Sequence, residues 1–138
     1  MSATKIRQSL ENLTSFLESL EEALKGPEEV RAFRDSTILS FTFVYELSWK
    51  TLRRFLIHAK IPPNDLGTPG DVMRKAFQAY WITDDQLWLA MADHRNLLVH
   101  TYNEGLAKEV YDRIKEDYVP EFRRLHKFLS RRFSELVG

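Results

Sequence analysis

The 138-residue chain contains no cysteine, only five glycines and five prolines, and no net charge. Without cysteine there is no disulfide scaffold, no thiolate zinc or iron–sulfur site and no cysteine nucleophile. No apolar run approaches the ~20 residues that cross a bilayer. The start, Met1-Ser-Ala-Thr-Lys-Ile-Arg7, lacks the apolar core of a signal peptide, so the expected compartment is the cytoplasm. The glycines are scattered singly, which excludes a Gly-rich phosphate loop. H-E-x-x-H is missing, as is any clustered Asp, Glu and His spacing of a metal site or a serine nucleophile elbow. No metal and no cofactor is expected. Twenty basic residues against twenty acidic ones give the whole molecule no general pull on nucleic acid.

What is there is helical. At 43% hydrophobic, a chain of this length suits one domain that buries roughly 70% of its unfolded surface. Residues 1–138 are therefore expected as a single domain. Ile6, Leu10, Leu13, Leu17, Leu20 and Leu24 alternate spacings of four and three, one apolar helix stripe. Gly26-Pro27 is expected to end that helix, with glycine left-handed, and to open a second from about 28 to 60. Glu28 and Glu29 would then meet its positive end. Val30, Phe33, Thr37, Phe41, Val44, Ser48, Leu52 and Phe55 form its stripe, thickened by Leu39, Phe43, Leu47 and Trp49. Such a helix is central in a bundle or buried at a subunit interface, and the apolar excess predicts a homodimer.

Thr68-Pro-Gly-Asp71 and Thr83-Asp-Asp-Gln86 read as capped helix starts, and Asn103-Glu-Gly105 as the end of the helix that Thr83 opens. The last segment keeps a stripe at Val110, Ile114, Tyr118, Phe122, Leu125, Leu129, Phe133 and Leu136, with a kink or break expected at Pro120. The fold class is all-α, an up-and-down bundle of four to five helices. Charge is uneven along it: residues 36–60 and 113–138 each carry +3, 1–35 carry −2 and 61–112 carry −4.

Polar chemistry concentrates in Asp93-His-Arg-Asn-Leu-Leu-Val-His-Thr-Tyr-Asn-Glu104. Asn96 and His100 are four apart and share a helix face. Arg95 and His100 are five apart, about 140° around the helix, so one copy makes an indifferent pair and two copies across a dyad a better one. Tyr102, seven beyond Arg95, aligns with it if the helix continues that far. The group suits attack of a ribose 2′-hydroxyl on its phosphodiester. His100 would carry protons, Arg95 would bind phosphate and Asn96 would orient. The alternative is a helix-end histidine on terminal carbonyls. Arg53, Arg54 and His58 repeat the bare Arg-x4-His spacing and read as a solvated face. His94 and His126 read as surface residues, and Trp49, Trp81 and Trp88 as core or interface. Glu46 and Lys50 read as a buried pair or as the lining of a site.

Phe41-Thr-Phe-Val-Tyr-Glu-Leu-Ser-Trp-Lys-Thr-Leu-Arg-Arg-Phe-Leu56, Pro69-Gly-Asp-Val-Met-Arg-Lys-Ala-Phe77 and Arg95-Asn-Leu-Leu-Val-His-Thr-Tyr-Asn-Glu104 together resemble the nucleotidyltransferase substrate-binding family of the HEPN superfamily. The R-N-x3-H-x-Y string is its sharpest part, and the Arg53 repeat lacks the asparagine and tyrosine. The resemblance implies a dimer with both motifs in one cleft and a metal-independent RNA endonuclease. It implies a toxin–antitoxin pair with a minimal nucleotidyltransferase, which transfers AMP to the motif tyrosine, here Tyr102. Arg95, Asn96 and His100 are the catalytic candidates. An older reading of the family implies a non-catalytic substrate-binding subunit of a nucleotidyltransferase. A structural dimerisation module is a third.

Overall fold

The computed structural model describes residues 2–138, so Met1, where the signal-peptide reading begins, lies outside the described residues. Six α-helices follow one another with no strand among the described residues. They are α1 (Ala3–Ala23), α2 (Arg31–His58), α3 (Pro69–Gln78), α4 (Asp85–His100), α5 (Glu104–Arg113) and α6 (Val119–Val137). A 3-10 turn, Pro63–Leu66, precedes α3, and a π-helical turn, Ile114–Tyr118, carries α5 straight into α6. Counting that continuous pair as one, the bundle has five helices, in line with the sequence. None of the described helices is long and apolar enough to cross a membrane.

The core follows the stripes. Ile6, Leu10, Leu13, Leu17 and Leu20 of α1 are buried against α2 and α6. Helix α2 touches α1, α3, α4, α5 and α6, so its position is central, and Thr37, Phe41, Val44, Ser48, Leu52 and Phe55 face inward. Phe41 stacks on Tyr118 at 5.2 Å, and Trp88 meets Phe122 edge-on at 5.8 Å, so aromatic rings from α2, α4 and α6 converge. Each such fully buried ring or leucine contributes about 1.5–3 kcal/mol. Ser9 and Thr51 join their hydroxyls at 2.7 Å inside the α1–α2 seam, which satisfies two polar groups that burial would otherwise penalise. Val30, Phe33, Leu39 and Phe43 depart from the expected burial and stay exposed. Helix α2 is central in one chain and still has an uncovered apolar side.

The helix ends differ from expectation in instructive ways. No glycine is left-handed among the described residues. Helix α1 closes on 3-10-type bonds, Lys25 N–H to the Glu22 carbonyl and Gly26 N–H to the Ala23 carbonyl. Gly26 matters instead for close approach, because a Cβ there would lie 2.4 Å from the Phe33 ring. Pro27 opens a turn, closed by Val30 N–H on its carbonyl, and α2 starts only at Arg31. Glu28 therefore misses the helix terminus and pairs with Lys108 of α5.

Thr68 caps α3 as expected, with Pro69 first in the helix and the Asp71 N–H bonded to its hydroxyl. The Thr68 side chain also holds the Asp71 carboxyl below its usual range. The cap of α4 is Asp84 rather than Thr83. Asn103 is a start rather than an end: α4 stops at His100, and the Asn103 side chain accepts from Leu106 N–H to cap α5. Pro120 is the second residue of α6, and the interruption expected there falls in the π-turn just before it. That turn accommodates the missing N–H and the ring's demand on the preceding turn, with Val119 N–H reaching back to the Ile114 carbonyl.

Candidate functional site

The motif occupies the last turns of α4 and the linker to α5, facing α2. Arg95 leans across to α2, its Nη2 3.0 Å from Glu46 Oε1, while Nη1 donates to Asn96 Oδ1 at 3.3 Å. Glu46 is shared. Its Oε2 accepts from Trp49 Nε1 at 3.3 Å and lies 3.7 Å from Lys50 Nζ. The Glu46–Lys50 pair is thus partly exposed rather than buried, and its carboxylate also holds the candidate arginine.

Asn96 and His100 share one face, as their spacing requires, in a shallow recess of about 380 Å³ with Asp93 and Leu97. His100 is exposed and makes no hydrogen bond among the described residues, so the helix-capping alternative is not what its side chain does. Arg95 does not line that recess. One chain by itself brings Asn96 to His100 but turns Arg95 away toward α2.

Tyr102 lies beyond the helix end, so the helical alignment with Arg95 does not extend to it. It lines a separate recess of about 350 Å³, between Asp35, Ile38, Leu39 and Thr42 of α2 and Leu98 and Val99 of α4. Its hydroxyl donates to Asp35 Oδ1. Burial, reinforced by that carboxylate, pushes the phenol up to about 12. Arg31 lies 3.6 Å from Asp35, and Arg34 pairs with Glu104 at 2.7 Å, so two cations stand near the pair.

Three histidine and arginine readings are corrected. His94 is buried: Nε2 lies 2.9 Å from Glu109 and Nδ1 2.6 Å from the Tyr118 hydroxyl. A carboxylate only accepts, so a neutral His94 donates from Nε2 and accepts Tyr118 O–H at Nδ1. His126 is half-buried, 2.6 Å from the Thr14 hydroxyl. Arg53, Arg54 and His58 are half-buried rather than a solvated face, and Arg53 Nε donates to the Leu66 carbonyl at the 3-10 turn. Trp81 and Trp88 are core, and Trp49 is partly buried, as expected. Asp35 is the residue that sequence reasoning missed, because its partner comes from the far side of the chain. Among the described residues no three His, Asp or Glu side chains converge as a metal site would require.

An all-helical bundle with a polar string at the end of its fourth helix defines the class. The chain belongs to the nucleotidyltransferase substrate-binding-protein-like family of the HEPN superfamily, which it matches over residues 8–131. A probable ribonuclease HepT of Haemophilus influenzae is 40% identical over 86 residues, covering 61% of this chain and 58% of that relative. The match therefore spans less than two thirds of the relative's length. A crystal structure of a Thermus thermophilus protein aligns with TM-score 0.68 at 28% identity, over 88% of this chain and 98% of that one. HI0074 of Haemophilus influenzae, described as the fold of a substrate-binding domain of a nucleotidyltransferase, aligns with TM-score 0.67 at 28% identity, over 94% and 99%.

Proposed function

We propose that the protein is a metal-independent RNA endonuclease, the toxin of a pair whose minimal nucleotidyltransferase silences it by AMPylating Tyr102. The observation that carries this reading is the exposed His100, without a hydrogen bond among the described residues, one helical turn from Asn96. The probable ribonuclease among its relatives supports the same class. His100 takes the proton of a ribose 2′-hydroxyl as that oxygen bonds to phosphorus and the 5′-oxygen leaves. Arg95 stabilises the charge that develops on phosphate, and Asn96 orients it. Release of Arg95 from Glu46 is part of substrate binding, since phosphate must replace the carboxylate. In a homodimer the second copy brings its own Arg95 and His100 to the same cleft, which supplies the pairing that one α4 lacks.

Growth arrest on expression without the nucleotidyltransferase, relieved by His100→Ala, is the deciding experiment. In vitro the substitution should lower RNA cleavage by about 10²–10⁴-fold, and chelators should leave the wild type unaffected. Cleavage abolished by EDTA and restored by magnesium would sink the mechanism. The second reading, a non-catalytic subunit presenting substrate to a nucleotidyltransferase, is favoured by the description of HI0074. It predicts neither growth arrest nor cleavage.

A further inference from the structure

Tyr102 belongs to the α4–α5 linker and Asp35 to the second turn of α2, yet the hydroxyl donates its hydrogen bond directly to that carboxylate. The contact is not sealed. Tyr102 is 44% exposed, the Asp35 side chain 39%, and Leu39 and Val99, which line the same recess, are exposed as well. The other carboxylate oxygen of Asp35 faces Arg31, an exposed cation that leaves free the oxygen that serves Tyr102. A nucleophile in contact with a base, and a base oriented by a third group, is the arrangement found where a weak oxygen nucleophile must be activated.

We propose that Asp35 is the general base for modification of this protein: it removes the Tyr102 phenolic proton while an AMP group is transferred to that oxygen. The proposal rests on the reading of Tyr102 as the modified residue. Tyr102 Oη attacks the α-phosphorus of ATP delivered by the partner nucleotidyltransferase, and an Oη–P bond forms. The bond from that phosphorus to the bridging oxygen of the β-phosphate breaks, and pyrophosphate leaves with the electron pair. The phenolic proton passes along the existing hydrogen bond to Asp35 Oδ1 and from there to solvent.

A base is needed because the phenol keeps its proton at neutral pH. Burial and the adjoining carboxylate hold its pKa near 12, so pre-formed phenolate is scarce. The same carboxylate that disfavours free phenolate is in position to accept the proton as the new bond forms. Asp35 would thus be a catalytic residue carried by the substrate protein rather than by the enzyme that modifies it.

The test varies the concentration of the full chain over a catalytic amount of minimal nucleotidyltransferase with ATP and magnesium, and reads intact mass against time over a range of pH. Wild type should gain AMP and Tyr102→Phe should not. Asp35→Asn, which keeps the side chain's shape at a partly exposed position, should lower kcat for modification by about 10²–10⁴-fold with KM for the chain unchanged. Its rate should climb steeply with pH, since phenolate must then form in advance, and Asp35→Glu should restore part of the activity. Asp35→Asn modified at the wild-type rate and pH profile would overturn the role of Asp35. So would a raised KM with unchanged kcat, which would make Asp35 a docking contact. An unmodified wild type would overturn the reading of Tyr102 itself, and is distinguishable because no variant is needed to see it.

Discussion

His126 joins α6 to α1 through the Thr14 hydroxyl, and its burial holds the imidazole below its ordinary pKa of 6.5, with Glu18 and Glu21 opposing that shift. A folded-state pKa below the unfolded one means that the unfolded chain binds the extra proton. Its contribution is therefore present above about pH 6.5 and lost as pH falls through the folded value. Thermal melts should show wild type losing more stability than His126→Gln between roughly pH 7 and pH 5. Parallel curves would remove His126 as the cause. His94 is the costlier histidine to lose. His94→Ala orphans the Tyr118 hydroxyl inside the core and should destabilise by about 2 kcal/mol or more, read from denaturant midpoints. Both histidines defeat sequence reading for the same reason. A polar side chain is buried only where a distant partner satisfies it, and Tyr118, Glu109 and Thr14 lie on other elements. Arg95, Asn96, His100 and Tyr102 are legible because they crowd a single short string. Glu46 is legible only as one half of a local pair, and Asp35 not at all.

Two helices end without the glycine that usually closes them. Lys60 and Tyr80 take positive φ, 77° and 61°, just past α2 and α3. In each case the following N–H reaches back five residues, Ile61 to the Leu56 carbonyl and Trp81 to the Ala76 carbonyl. Side chains in that conformation cost about 1–2 kcal/mol. Tyr80→Gly should then stabilise the protein by about 1 kcal/mol, after allowing for the freedom glycine adds to the unfolded chain, since the Tyr80 ring is 85% exposed and little contact is lost. A melt unchanged or lowered would show that the ring has a partner. The interval between Gly26 and Arg31 misleads a sequence reading because proline tolerates a helix start without requiring one. The π-turn, in contrast, leaves a trace in the sequence. The α1 stripe alternates fours and threes, matching 3.6 residues per turn, whereas Val110, Ile114, Tyr118 and Phe122 run four, four, four. Three consecutive fours are too many for an α-helix to keep on one face, and a turn with i→i+5 bonds absorbs the surplus.

The arrangement of the whole bundle leaves Phe33 and Phe43 of α2 exposed. Light scattering at micromolar concentration should give twice the 16.3 kDa chain mass, and Phe43→Asp should halve it and abolish RNA cleavage together. A wild type already at the single-chain mass would sink the shared cleft. The order of the helices and the core face of α1 are readable from periodicity alone, because burial of a stripe is a local demand. Which side of α2 stays uncovered is not, since that depends on where five other helices end. The π-turn has a last consequence, for chain length. A residue that serves only to widen a turn is surplus to the register of everything after it. Deleting Lys115 while replacing Pro120 with alanine should let α5 and α6 fuse into regular helix with Phe122, Leu125 and Leu129 still facing the core. The deletion alone would return the proline ring to a tight turn, at a cost of about 3 kcal/mol. Along the buried length of α6 itself, loss of one residue has no such refuge, because every later side chain would swing off the core face.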